Sequence, residues 1–173
     1  VRVSLSTGNF DFSKARNDGY DVIFTKDDGN TLIDFERETW NLSVSSTTEF
    51  WVEAPTASST ASSTFYMYYG NAAASDASSS TAPWDANFKG VWHKPDLTTA
   101  STSDSLGVNG GNKMAANQPI EIAGEIAKAQ NYDGVDDAID AGNNAAVQIT
   151  GSLTVEGVIN FDTLVSANQW PIS

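Results

Sequence analysis

Phe65-Tyr66-Met67-Tyr68-Tyr69, closed by Gly70-Asn71, is the stretch on which the fold turns. Consecutive aromatic and long apolar side chains suit a pleated, half-buried surface, and the Gly-Asn pair after them supplies turn chemistry. Before it, Thr56 to Thr64 holds only Ser, Thr and Ala and reads as a loop. Further upstream, Glu49 to Ala54 is a strand ended by Pro55, and Thr31 to Trp40 is another. Lys26-Asp27-Asp28-Gly29-Asn30 reads as the hairpin link from Thr31–Trp40 back to the apolar run Asp21–Thr25. Asn9 to Phe12 reads as a strand with Phe10 and Phe12 on one face, and Val1 to Leu5 alternates as a half-buried strand. Only Ser13 to Asp18 offers a helical turn.

Downstream, Ala72 to Ala82 is mostly Ala and Ser without apolar periodicity, and reads as a linker or long surface loop. A second part begins at Pro83-Trp84. Strands are expected at Phe88–His93, Ala129–Tyr132, Ala138–Ala141 and Ser152–Phe161, with a long loop over Leu97–Asn117. Pro119 to Ala127 has too little periodicity for a helix and reads as loop and short strand. The expectation is an all-β chain of two modules, residues 1–71 and 83–173, joined by a linker at 72–82.

Composition narrows the function. The 173 residues are 40% hydrophobic and 10% aromatic, enough for a core. A formal net charge of −13 without a Lys/Arg cluster argues against nucleic acid and anionic membrane surfaces. No apolar run approaches a membrane span, so no membrane insertion is expected. The absence of cysteine excludes disulfides, thiolate nucleophiles and thiolate metal sites. No Gly-rich phosphate loop or His-Glu zinc pattern occurs.

Asn9 to Asn71 resembles a module of bacterial, archaeal and phage surface proteins known as a domain of unknown function. The residues that carry the likeness are Phe12-Ser13-Lys14-Ala15-Arg16, Asp18 to Phe24, Phe35 to Trp40, Phe50-Trp51-Val52 and Tyr66 to Asn71. Residues 83–173 resemble the N-terminal part of a laminin-G/concanavalin A-like jelly roll. The matching residues there are Gly90-Val91-Trp92-His93, Gly124 to Ala129, Tyr132 to Asp140 and Ser152 to Gly157. Lys94 departs from the Leu usual after the Trp-His pair. The two resemblances imply two antiparallel β-sandwich, jelly-roll-like modules in tandem. The second is expected to be incomplete at Ser173, its remainder missing, disordered or supplied by another chain.

Several constellations could carry chemistry. Asp133, Asp136, Asp137 and Asp140 crowd a Gly134 turn and are candidate Ca²⁺ ligands, since hard cations want oxygen donors. The alternative is that they cap the turn through its own amides. Asp34, Glu36 and Glu38 alternate on one strand face. Paired carboxylates evoke glycosidases, but a solvated strand face is the expected reading. His93, the chain's single histidine, reads as a buried, hydrogen-bonded structural residue. Trp40 and Trp51 read as core, whereas Tyr66, Tyr68 and Trp84 are candidates for stacking on a ligand.

The expected function is a non-catalytic surface binding or adhesion protein, extracellular or on a cell or virion surface, recognising glycans or other surface proteins. It needs no cofactor, Ca²⁺ apart, and belongs to a larger chain or homo-oligomeric assembly. The alternatives are a structural subunit of a virion (capsid decoration or tail fibre) or extracellular filament, and an accessory domain of a glycoside hydrolase.

Overall fold

The structure is a computed structural model that describes residues 1–40, 47–54, 56, 58–93, 101–114 and 118–162. Pro55, Lys94 and the parts 97–100 and 115–117 of the expected long loop lie outside the described residues. The fold is all-β: the described strands pair antiparallel, and the helical elements are two short 3₁₀ turns, Phe12–Lys14 and Ala145–Val147.

Among the described residues, the first half holds six strands. They are β1 (Arg2–Leu5), β2 (Ile23–Lys26), β3 (Leu32–Ile33), β4 (Phe35–Thr39), β5 (Thr48–Val52) and β6 (Phe65–Tyr68). One sheet runs β1-β5-β4 and the other β3-β2-β6. The β2–β3 hairpin forms where Asp28-Gly29 predicts it. Asp28 accepts the amides of Asn30 and Thr31, and Gly29 takes φ 70°, a conformation that favours glycine. The single strand expected over Thr31–Trp40 is instead two. It breaks at the exposed Asp34, and its halves join different sheets. Phe10 and Phe12 do not lie in a strand. Asp11 caps the first 3₁₀ turn by accepting the Ser13 amide, and both rings still reach the core.

That core lies between the two sheets. Phe24 of β2 packs edge-on against Phe35 of β4 and Phe50 of β5, with ring centroids 5.1 and 5.4 Å apart. Leu5, Val22, Ile33 and Val52 complete it. Burying aromatic rings removes the largest apolar areas from water, which is why this half is the better packed. Asp21 fastens the rim: 2% exposed, it accepts the Arg16 amide at 3.0 Å and the Gly70 amide at 2.5 Å.

The second half is looser. Its strands are β7 (Ser101–Thr102), β8 (Gly111–Lys113), β9 (Ile120–Ala123), β10 (Lys128–Asn131) and β11 (Ile139–Asp140). They form a β11-β8-β7 sheet and a β9–β10 pair. β9 bears out the choice of strand over helix at Pro119–Ala127, while β7 and β8 fall inside the expected loop. Phe88–His93 and Ser152–Phe161 are not strands. The first is held by side-chain bonds and by the Ser105 amide on the Val91 carbonyl rather than by a ladder. The second leaves Leu153, Val155, Val158 and Ile159 exposed.

Candidate functional site

The outer face of the β1-β5-β4 sheet is built by strand alternation. Phe35, Phe50 and Val52 point into the core, so their neighbours Glu36, Glu38, Glu49 and Trp51 point away from it. Register places Glu36 opposite Trp51 and Ser4 opposite Glu49. This face is not solvated, contrary to expectation. The side chains of Glu36 and Glu38 are 11% and 5% exposed, because residues from farther along the chain cover them.

The covering begins with the Ala/Ser-rich segment. Ser79 donates its amide to the Phe35 carbonyl, Ser78 Oγ accepts the Arg37 amide, and Asp76 pairs with Arg37 at 2.6 Å. This stretch therefore runs along β4 and carries Trp84 onto the face. Trp84 Nε1 donates to Glu36 Oε2 at 2.9 Å, and Trp51 Nε1 donates to Glu38 Oε2 at 2.5 Å. Ser105 Oγ donates to Glu36 Oε1 at 2.8 Å.

His93 sits between the two carboxylates. Its Nε2 lies 3.1 Å from Glu36 Oε2, and its Nδ1 lies 3.3 Å from Glu38 Oε2. The ring stacks on Trp51 at 5.6 Å and tilts toward Trp84 at 6.0 Å. Burial is the largest influence on the imidazole and pulls its pKa down. The hydrogen bond to Glu36 and the charges of Glu38 and Glu36 outweigh it, so the pKa stands above the ordinary value. Burial pushes the Glu38 carboxyl up, tempered by the His93 charge and the Trp51 N–H. Behind them, Glu49 is 1% exposed. Its Oε1 accepts Ser4 Oγ, and its Oε2 faces Arg2 Nε at 3.8 Å.

The loop that delivers His93 is tied by Asp104, whose carboxylate accepts the amides of Val91, Leu106, Val108 and Asn109. Desolvation raises this carboxyl, and the four amides outweigh it to hold the pKa low. The Trp92 indole donates to the Asn109 carbonyl at 2.8 Å. Sequence reasoning passed over Asp104, although Asp104-Ser105-Leu106-Gly107 carries the composition of an Asx turn.

The other candidates lie elsewhere. Tyr66 and Tyr68 alternate with the inward Phe65 and Met67 and are exposed on the outer face of β6. The Tyr66 ring borders an open groove with Asp27, Thr56, Ser62, Ser63 and Thr64. The core separates this face from Trp84, so the structure does not bring the three ligand candidates together. Of the four Asp candidates, Asp133, Asp136 and Asp137 each have a carboxylate oxygen within 4.8 Å of one on the others; Asp140 is not in this group. Asp133 Oδ1 accepts the amides of Val135 and Asp136, Asp137 accepts that of Asp133, and Asp140 accepts that of Gly142. Asp34 stands apart from Glu36 and Glu38 at the break between β3 and β4. Among the described residues, no helix is long and apolar enough to cross a membrane.

Residues 18–88 match the model of a family described as "Domain of unknown function (DUF2341)". The match spans the motif residues from Asp18 through Tyr69 and runs on across the Ala/Ser-rich segment and Trp84. A search of curated proteins and a search of solved structures each gave no match.

Proposed function

We propose that this chain is a non-catalytic binding module of an extracellular, cell or virion surface, and that its ligand is a glycan taken up by the Tyr66–Tyr68 face. The observation that carries the reading is the pair of half-exposed rings, 46% and 45%, on one strand face beside a groove of hydroxyls and one carboxylate. Aromatic faces pack on sugar C–H surfaces while hydroxyls and acids take the sugar hydroxyls. The reading needs no cofactor. The closed Glu36–His93–Glu38 cluster supports the non-catalytic part: its carboxylates are already engaged by indole, imidazole and hydroxyl donors. Residues 83–173 are proposed as the opening of a laminin-G/concanavalin A-like jelly roll, on the strength of the Tyr132–Asp140 motif and the antiparallel β7 to β11 pairs.

A glycan array tests the ligand. Tyr66→Ala and Tyr68→Ala are expected to abolish binding with little change in Tm, whereas Trp84→Phe should leave binding intact. Binding retained by both tyrosine variants would overturn the platform. A second reading, a structural subunit of a virion or filament, is favoured by the exposed Leu153, Val155, Val158 and Ile159. Concentration-dependent oligomers in light scattering, lost on Val155→Asp and Val158→Asp, would favour it.

A further inference from the structure

The His93 ring has a carboxylate against each of its nitrogens. A neutral imidazole carries one N–H and can satisfy only one of them; the imidazolium satisfies both. The groups facing it come from every element packed there. β4 supplies Glu36 and Glu38. β5 supplies Trp51 and, beside Glu38, Glu49, with Arg2 of β1 against it. Trp84 and Ser105 close the far side. Among the described residues, three carboxylates thus meet two basic groups, His93 and Arg2, so removing the His93 proton leaves the buried acids with one partially exposed arginine, which lies against Glu49. Buried carboxylates without a compensating charge repel and are costly.

We propose that His93 is a proton-operated latch: its imidazolium fastens the residues around Trp84, His93 and Ser105 onto the Glu36–Glu38 face of the first sandwich, and loss of that proton releases them and uncovers Trp51 and Trp84. The sign follows from linkage. The folded-state pKa of His93 lies above its ordinary 6.5. The latch is therefore fully closed below the unfolded value and opens as pH rises through the folded one. Because the chain has one histidine, few other groups titrate in this window; the Glu38 carboxyl, raised by burial, acts with the same sign as His93 and is separated from it by Glu38→Gln. The Val1 amine, lowered from 8.0 by burial, acts with the opposite sign and cannot imitate the effect.

Hydrogen exchange of residues 84–93 in the full chain, between pH 5.5 and 8.5, tests this. The opening equilibrium, corrected for intrinsic exchange, should rise with pH by up to about tenfold per unit, with a parallel change in Trp fluorescence. His93→Gln should be flat across the range. Glu38→Gln keeps an acceptor for Trp51 and should shift the opening to lower pH. A flat wild-type profile, a slope that persists in His93→Gln, or an unmoved midpoint in a folded Glu38→Gln would each overturn the latch.

Discussion

Two groups of acids in this chain meet opposite fates. Glu36, Glu38 and Glu49 alternate along adjacent strands and end up buried, served by donors recruited from Trp51, Trp84, His93, Ser105 and Ser4. Asp133, Asp136 and Asp137 crowd one turn, with Asp133 and Asp136 exposed to solvent, and the turn's own amides serve Asp133 and Asp137. Read as sequence, Glu36 and Glu38, with Asp34, suggest a solvated face, and the Asp turn suggests either a cation site or a turn capped by its own amides. The difference is one of covering. A strand's alternation says which residues share a face, but what lies over that face is decided by segments tens of residues away. A turn's hydrogen bonds are local, so its chemistry is visible in the few residues that make it.

The contrast should be largest on removing Glu36. Glu36→Ala strands the Trp84 indole, the Ser105 hydroxyl and one His93 nitrogen in a covered site. Each unsatisfied buried donor costs about 1–3 kcal/mol, so a loss of at least about 2 kcal/mol is expected by urea denaturation. Glu36→Gln keeps one acceptor oxygen and should lose less. If Glu36→Ala were as stable as wild type, the cluster would be a surface feature after all.

The next effect in size is on core against rim within the first sandwich. Gly19 takes φ 70°, and a Cβ there would lie 2.3 Å from Trp40 Cδ2. Gly19→Ala therefore strains the backbone and drives the indole off Phe10 and Phe12, against which it packs edge-on. A loss of roughly 1–3 kcal/mol is expected, without any change in the pH dependence assigned to His93. A Gly19→Ala protein that also lost the His93 pH profile would show that the two sides of the β1-β5-β4 sheet are not independent.

Much of the first half was legible. β1, the β2–β3 hairpin, β5 and β6 follow from alternation and from Asp28-Gly29, because local chemistry and the sandwich demand agree there. The break at Asp34 was not legible, since Thr31–Trp40 carries no Gly or Pro to mark a change of sheet. Phe88–His93 has a strand's composition, but Asp104 and Asn109 tie its polar groups from fifteen or so residues downstream. The site followed the same rule. Tyr66 and Tyr68 could be placed on a strand face although not assigned inside or out. The partners of Glu36, Glu38 and His93 come from three separate stretches, and no spacing in the sequence announces that they meet.

The smallest effect is expected at the exposed acids. The Asp133 carboxyl is held low first by the Val135 amide, which with the Asp136 and Asp137 amides outweighs desolvation, so its share of stability is present above the ordinary 3.8 and fades as pH falls below it. That is the reverse of His93, whose share fades as pH rises. Asp133 and Asp137 already spend carboxylate oxygens on backbone amides, and Asp140 stands outside the group. Calcium would have to displace those bonds or share their oxygens. Addition of a chelator, or of millimolar Ca²⁺, is therefore expected to leave Tm unchanged, and Asp133→Asn should alter only the acid limb of the stability profile. A Tm raised by Ca²⁺ in the wild type but not in Asp136→Asn would instead make this turn a cation site, and the contrast between the two acid groups would then be one of ligand rather than of covering.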